Sequence, residues 1–146
     1  MGRTTVVALA GHKTNGEPVR EVLLVEPDGD AYRLVATPAL VLGVAAADLI
    51  QIDEGGNVTV LSRGGNVAVQ LFGEHEWGDE LASELAPYGA RIDARAPRLT
   101  VLTVPVRVGF PAVESALAEW SGRHPAAEWY YGNVYAADGM TPLNWW

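Results

Sequence analysis

The densest group of polar side chains lies at residues 74–80, which read Glu-His-Glu-Trp-Gly-Asp-Glu. His75 and Asp79 stand four residues apart, so on one helical turn they could share a proton or bind a metal ion with help from Glu74 and Glu76. Acidic residues are also typical of a helix N-terminus, where they complement the helix dipole. That second interpretation is favoured, because no His-Glu-x-x-His pattern is present. These four residues are weak catalytic candidates, and the sequence predicts no metal site and no cofactor.

Nucleophilic catalysis has no clear candidate elsewhere in the chain. There is no cysteine, which excludes thiolate catalysis, disulfides and thiolate-bound metal centres. No Gly-x-Ser-x-Gly motif occurs, and no serine has a base and an acid at motif spacing. The sequence therefore favours a protein that is not an enzyme, without deciding the question.

Aromatic side chains concentrate toward the C-terminus. Trp and Tyr combine a large apolar area with a polar group, so they fill cores and also line partner or ligand surfaces. Core filling is the commoner role, but in an alternating strand at 128–135 one face must be less buried than the other. The candidate binding residues are Trp77, Trp129, Tyr131, Trp145 and Trp146.

The last two of these residues predict a docked tail. Two consecutive tryptophans would form a large exposed apolar patch if they faced solvent, so residues 136–146 are expected to pack on the domain. Adjacent side chains of an extended segment point in opposite directions. One of Trp145 and Trp146 should therefore face inward, and the outward one is the better interface candidate.

The formal net charge is −8, and Lys13 is the only lysine. Phosphate neutralisation needs clustered cations, so nucleic acid is not an expected partner. An acidic surface suits a protein partner with a basic surface, although it also keeps a small domain soluble; a homodimer is a further option. No apolar run approaches the roughly 20 residues that cross a bilayer. We expect no membrane association and a cytoplasmic location.

A mixed α and β fold must position these residues. Strands are predicted at 4–9, 21–25, 31–36, 48–53 and 58–61. Tight turns at 27–30 and 54–57 contain Gly, Asp and Asn, so the strands that they join should pair antiparallel. Residues 37–47 are apolar but irregular, and are expected to cross the lobe as a loop or a single helical turn. Residues 1–63 are therefore predicted to form a small antiparallel, β-rich, barrel-like lobe.

The spacing of apolar residues changes in residues 64–135. The patterns predict a strand at 66–72, a helix at 80–88, strands at 90–96 and 99–104, a helix from 110, and a last strand at 128–135. This β-α-β-β-α-β order is the ferredoxin-like pattern, with both helices on one face of an antiparallel sheet. The predicted fold class is α+β, and the short connection Arg63-Gly64-Gly65 should keep both lobes packed as one domain over residues 1–146.

Several turns and strands form a further pattern over roughly residues 21–121. Its features are Ala31 to Ala36, Thr37-Pro38, Leu42-Gly43 to Asp48-Leu49-Ile50, Arg63-Gly64-Gly65-Asn66, and the helix end Leu85 to Gly89. In these features the chain resembles the bacterial family called domain of unknown function 4265. Ala47-Asp48 departs from the Gly-Asp expected before Leu49. The resemblance implies a scaffold and no particular reaction.

Two functional hypotheses follow. The first is a non-catalytic binding or regulatory module, of which neutralisation of a protein partner is one form, because aromatic area and acidity are plentiful while a coherent catalytic set is missing. The second is a small enzyme or small-molecule binder with a pocket between the lobes, formed by Glu74, His75 and Glu76 and walled by Trp77 or Trp129.

Overall fold

The computed structural model describes residues 2–107 and 109–146, and it contains two antiparallel sheets and two helices. This is the predicted α+β class. The first sheet has the order β1-β2-β3-β4-β5, with strands β1 (Thr4–His12), β2 (Pro18–Asp28), β3 (Ala31–Leu34), β4 (Leu49–Ile52) and β5 (Val58–Ser62). Both tight turns lie where Gly and Asp predicted them. Among the described residues, no helix is long and apolar enough to cross a membrane.

The first sheet is open, so the prediction of a barrel-like lobe was wrong in that respect. Its edges are β1 and β5, which do not pair with each other in the part of the chain that the structure describes. The amide of Leu9 donates to the carbonyl of Gly56 at 2.7 Å, which joins β1 to the β4–β5 turn. Closure of a barrel requires a full ladder between the edge strands, and this bond does not provide one.

The second sheet has the order β7-β8-β6-β9, with strands β6 (Asn66–Phe72), β7 (Arg91–Ala96), β8 (Leu99–Pro105) and β9 (Glu128–Tyr131). Helix α1 (His75–Leu85) follows β6 and continues into one 3₁₀ turn, Ala86–Tyr88; helix α2 (Phe110–Arg123) follows β8. Helix α1 approaches β8 closely, because a Cβ atom at Gly78 would lie 2.3 Å from the Thr100 hydroxyl. Only glycine fits there.

Each sheet has its own apolar core. Leu23, Val25, Leu34 and Ile50 are among the buried residues of the first. The second core lies between the second sheet and the helices, and its buried residues include Val67, Val69, Leu71, Leu81, Leu85, Leu102, Val104, Leu117 and Trp120. These residues alternate along β6 and recur at helical spacing along α1 and α2, which is why the sequence periods change between the two halves.

The segment 35–48 connects β3 to β4 as a loop and is largely buried. A buried loop must find partners for its backbone N–H and C=O groups, and side chains of both sheets supply them. In the first sheet, the Glu21 carboxylate accepts from the amides of residues 39, 40 and 41 at 2.7–2.9 Å. In the second sheet, Gln70 donates to the carbonyl of Ala39 at 2.9 Å, and Asn66 donates to that of Ala46 at 2.8 Å.

A chain of hydroxyl groups fixes the middle of this loop. The amide of Ala46 donates to the Thr37 hydroxyl at 2.9 Å, which lies 2.6 Å from the Thr103 hydroxyl. Thr103 in turn donates to Asp93 at 2.6 Å, and Asp93 also accepts from the Thr37 amide at 2.9 Å. Hydrogen bonds in such a chain strengthen one another at low dielectric. The loop therefore joins the first sheet to the second.

Asp48 closes the loop and is buried. Its carboxylate accepts from the amides of Ala45 at 3.0 Å and Gly64 at 2.8 Å, and from the Arg63 guanidinium at 3.3 Å. Burial raises the pKa of Asp48, because desolvation outweighs the opposing effects of these hydrogen bonds and of the Arg63 charge. A Cβ atom at Gly64 would lie 2.4 Å from the Ala47 carbonyl, so this contact requires glycine.

We predict that Ala47→Gly stabilises the protein. Ala47 has a φ of 73°, a left-handed conformation that costs a residue with a Cβ roughly 1–2 kcal/mol, and part of this gain is offset by the larger unfolded-state entropy of glycine. The free energy of unfolding should rise by about 0.5–1 kcal/mol in urea denaturation. Ala118→Gly, on the exposed side of α2, should lower it by about 1 kcal/mol. Equal losses in both variants would contradict the strain at Ala47.

Candidate functional site

A cleft of about 670 Å³ lies beside β9. We call it the aromatic cleft, and it is lined by Leu42, Gly43, Trp129, Tyr130, Tyr131, Gly132, Tyr135, Ala136, Ala137 and Gly139. Leu42 and Gly43 belong to the loop 35–48, and the amide of Gly43 donates to the carbonyl of Gly132 at 2.7 Å. The loop that joins the sheets thus also forms one wall of the cleft.

Strand β9 places its aromatic rings on both faces of the second sheet. Tyr131 pairs with Val69 in the ladder, so its ring lies on the helix side and packs 5.4 Å from Phe110 between ring centroids. Tyr130 lies on the opposite face, where its ring meets Phe72 edge-on at 5.8 Å. Tyr130 is 57% exposed and Leu42 is 61% exposed. The rim of the cleft therefore offers apolar surface to solvent.

Tyr131 carries a buried hydroxyl in this region. Burial raises the pKa of Tyr131 far above its usual value, and the negative charge of Glu114 acts in the same direction. The hydroxyl oxygen is buried and has no hydrogen-bond partner among the described residues. The group is therefore a neutral phenol at physiological pH and is not a base.

The C-terminal segment forms the far wall of the cleft and packs back on the protein. The amide of Ala136 donates to the carbonyl of Thr141, and the amide of Leu143 donates to that of Val134, both at 2.8 Å. Trp145 is half-buried and its indole N–H donates to the carbonyl of Asn133 at 2.8 Å. Trp146 is 40% exposed, with its ring 4.8 Å from Phe110. One indole is thus more enclosed than the other.

Asp138 organises the turn of this C-terminal hairpin. Its carboxylate accepts from the Thr141 hydroxyl at 2.6 Å and from the amides of Met140 and Thr141, both at 2.9 Å. These bonds favour the charged form and lower the pKa of Asp138 to about 2. The carboxylate next to the cleft is therefore ionised at every physiological pH.

We predict that the hairpin turn keeps its structure in acid until about pH 2. Because the folded pKa of Asp138 lies below its unfolded value, the stabilisation is present above the unfolded pKa and is lost as pH falls through about 2. The chemical shift of the Thr141 amide should titrate with that midpoint. In Asp138→Ala this titration should vanish. A midpoint near 4 in the parent protein would contradict the role of the turn.

The predicted catalytic residues lie outside the aromatic cleft. Helix α1 begins at His75, five positions before the predicted start, and the His75 imidazole lies 2.8 Å from the carbonyl of Ala96. Asp79 is paired with Arg95. Glu74, His75 and Glu76 line a separate, shallower cavity of about 380 Å³ together with Gly73 and Arg98. His75 and Asp79 each contact β7.

The predicted binding residues do not form one site, since Trp145 and Trp146 pack on Asn133 and Phe110 and do not line the cleft. Trp129 and Tyr131 line the cleft. Trp77 packs against Gly73 and lies edge-on to the His124 ring at 6.4 Å. The described residues contain no group of three or more His, Asp or Glu side chains arranged to hold a metal ion.

Of the ten residues that line the cleft, Trp129 and Tyr131 were predicted as binding residues; the other eight, which include Leu42, Tyr130 and Tyr135, were not. Tyr130 was assigned to the strand but not to the site, because Trp129 and Tyr131 share one face. Strand β9 ends at Tyr131 rather than at Tyr135. The signal that could have found this end is Gly132-Asn133, a pair typical of turns. Leu42 offered no signal, because its place depends on the path of a loop.

The two antiparallel sheets, the helices on one of them and the buried connecting loop define an α+β scaffold with a cleft at one sheet edge. The model of the family described as Domain of unknown function (DUF4265) matches residues 21–128, and the chain belongs to this family. The resemblance predicted from turns and strands is thereby confirmed. No curated protein matches the chain. The matched residues include the loop 35–48 and end directly before Trp129, so most of the cleft lining lies beyond them.

One solved structure is similar over nearly the whole chain. It is the crystal structure of a hypothetical protein from Neisseria gonorrhoeae, with a TM-score of 0.66 and 12% sequence identity, covering 89% of this chain and 92% of that chain. At this identity the likeness concerns the fold alone. The similarity shows that a distant sequence adopts a similar fold, and it indicates neither a functional site nor an activity.

Proposed function

We propose that this protein is a non-catalytic binding module and that the aromatic cleft is its binding site. The observation that carries the proposal is the lining of the cleft. Its side chains are aromatic or aliphatic, and their polar groups are the tyrosine hydroxyls and the indole N–H of Trp129. Trp and Tyr are the residues most enriched at the energetic centres of binding surfaces. The proposed ligand is a protein with a basic surface, and neutralisation of such a partner is one form that the role would take.

The charges around the cleft support binding rather than bond-making chemistry. General acid–base catalysis needs a group that gains and loses a proton near neutral pH. Tyr131 is a poor candidate, since burial raises its pKa, and the carboxylate of Asp138 stays ionised. Glu74, His75 and Glu76 line a different cavity. The proposal keeps the cytoplasmic location and the bacterial origin expected from the sequence.

A small-molecule binder is the second candidate, and the volume of the cleft favours it. Pockets for small ligands commonly enclose about 300–1,000 Å³ and are mostly apolar, and the cleft falls within that range at about 670 Å³. Such a ligand would present a flat or apolar group to Tyr130 and Tyr135. It would copurify with the protein or bind without any contact to a polypeptide.

Site-specific photo-cross-linking in the native host tests the two candidates. A benzophenone side chain at Tyr130 is expected to give a stoichiometric cross-link to one protein, whereas the same group at Val22, which is exposed on the first sheet, should give none. A protein cross-link that is equally strong from both positions would contradict the cleft as the site. A small molecule released from the native protein, without a cross-link, would support the second candidate.

We also propose that the second sheet and its helices form a ferredoxin-like arrangement. The strand order β7-β8-β6-β9 supports this assignment. It places the first and third strands of the β-α-β-β-α-β unit side by side at the centre. The placement of Leu81 and Leu117 in one apolar core with Leu71 supports it too, because both helices then cover the same face.

A further inference from the structure

Strand β9 is a short edge strand of the second sheet, and it lacks the bulge, the proline and the row of charges that blunt many edges. Edge strands are normally blunted by charges, bulges or proline. The opposite edge, β7, has a register shift between Ile92 and Ala94 and carries Arg91, Asp93 and Arg95. Strand β9 pairs with β6 without a shift, and Glu128 is its only charged residue. Of the two edges, β9 is the one able to accept another strand.

At alternate residues of β9, the backbone N–H and C=O groups point away from β6 and toward the cleft. The amide of Gly132 donates to the carbonyl of Ala68 at 2.8 Å, on the side of β6. Because antiparallel ladders alternate, Tyr130 also bonds toward β6, while Trp129 and Tyr131 direct their amides and carbonyls outward. No hydrogen bond among the described residues uses those outward groups.

The C-terminal tail approaches this edge and then leaves it. Tyr135 pairs with Pro142, and continuation of that register would carry the tail along β9. Instead Asn144 adopts a φ of 55°, a conformation that ends a strand. Trp145 then bonds to the carbonyl of Asn133, and the Trp146 ring packs at a tilt against Phe110. Within the described residues, the C-terminal tail therefore leaves the edge of β9 open.

The charge at the two ends of the cleft indicates the chemistry of the occupant. Glu128 is exposed at the start of β9, and Asp138 is exposed between two lining residues and keeps its charge. The lining itself contains no cation. In a chain of net charge −8, this arrangement favours a segment flanked by Lys or Arg.

From these observations we propose that an extended segment of a basic partner protein adds to β9 as a fifth strand of the second sheet. This deepens the proposed function and rests on it. The segment would bond to the outward backbone groups of Trp129 and Tyr131. A strand beside the four residues of β9 is roughly 13 Å long. Its alternate side chains would be apolar and enter the cleft, and its ends would carry Lys or Arg.

The test begins with a random peptide display library selected on the full chain. Enrichment of sequences with alternating apolar residues and a flanking Lys or Arg is expected. Binding should be lost in Tyr130→Asp but retained in Val22→Asp, a matched exposed site on the first sheet. Failure to enrich any peptide that distinguishes these two variants would overturn strand addition. The cross-linking experiment would still decide the binding-module proposal independently.

The selected peptide then provides its own matched control. N-methylation of the alternate amides that face β9 should weaken binding about 10- to 100-fold, because each methyl removes a hydrogen bond and adds a clash. N-methylation of the other set, which faces solvent, should leave the affinity within about threefold. Equal effects of both sets would overturn strand addition while leaving cleft binding intact. Concentration-dependent protection of the Trp129 and Tyr131 amides without peptide would instead assign the edge to a second copy of the chain.

Discussion

Trp120→Ala is expected to lower the free energy of unfolding by about 3–5 kcal/mol, the usual cost of truncating a buried tryptophan. Trp120 has no solvent exposure and lies in the core between the helices and the second sheet. Its ring stacks on His124 with 4.1 Å between centroids. Removal leaves a cavity that the surrounding leucines cannot fill without moving both helices. Urea denaturation followed by far-ultraviolet circular dichroism measures the loss without relying on tryptophan fluorescence.

Two further variants make this prediction specific. Trp77→Ala should cost less, about 1–2 kcal/mol, because Trp77 is only half-buried and lies at the edge of the same core. Trp120→Phe should recover most of the loss, since it keeps an aromatic ring and removes an indole N–H that has no partner among the described residues. Equal denaturation midpoints for Trp120→Ala and Trp77→Ala would show that the assignment of the helix face is wrong.

Asp48→Asn is expected to destabilise the protein by about 2–4 kcal/mol. Both carboxylate oxygens of Asp48 accept hydrogen bonds, one from Gly64 and the other from Ala45 and Arg63. An amide in either orientation would point its NH₂ group at one of these donors. Burial makes the charged carboxylate costly, as its raised pKa indicates. Leaving buried donors unpaired costs still more, because the loop that Asp48 closes has little access to water.

Asp28→Asn is the matched control for this variant. Asp28 pairs with Arg33 at 3.3 Å, the same distance as Asp48 with Arg63, but the Asp28 side chain is 55% exposed and that of Asp48 is 1% exposed. An exposed ion pair contributes about 0–1 kcal/mol, so Asp28→Asn should change the urea midpoint little. A similar loss in both variants would mean that burial of the Asp48 network does not matter.

Sequence patterns predicted the elements better than their ends. Strand β6 was predicted with its observed bounds, because apolar residues and flanking glycines agree there. Helix α1 begins five positions earlier than predicted, at His75. Its first turn is mostly charged, so it lacks the apolar residues at helical spacing from which a helix is predicted. The close contact of Gly78 with Thr100 depends on the packing of the helix against β8. Such contacts between distant segments leave no local pattern.

The candidate site was predicted only in part for the same reason. Trp129 and Tyr131 were chosen by residue type, and they line the cleft. The acidic segment was predicted as a candidate catalytic site because its charged residues are adjacent in sequence. In the structure, however, Asp79 is paired with Arg95. Leu42 reaches the cleft through a loop whose path is fixed by side chains as distant in sequence as Asp93 and Thr103. The sequence predicts that this loop is irregular, but it does not predict the path that the loop takes.

The buried loop 35–48 also limits how this sequence can change in length. Its amides at 39, 40 and 41 meet a single carboxylate, Glu21, and its far end meets Asp48. Inserting or deleting one residue in the buried part of the loop would move the donors and acceptors on one side of the change out of register with their partners. The tip of the first hairpin, at 13–16, is exposed and bonds mainly to itself. Peptide tags or domains inserted at that tip should leave the fold intact, whereas insertion between Ala45 and Ala46, both fully buried, should abolish it.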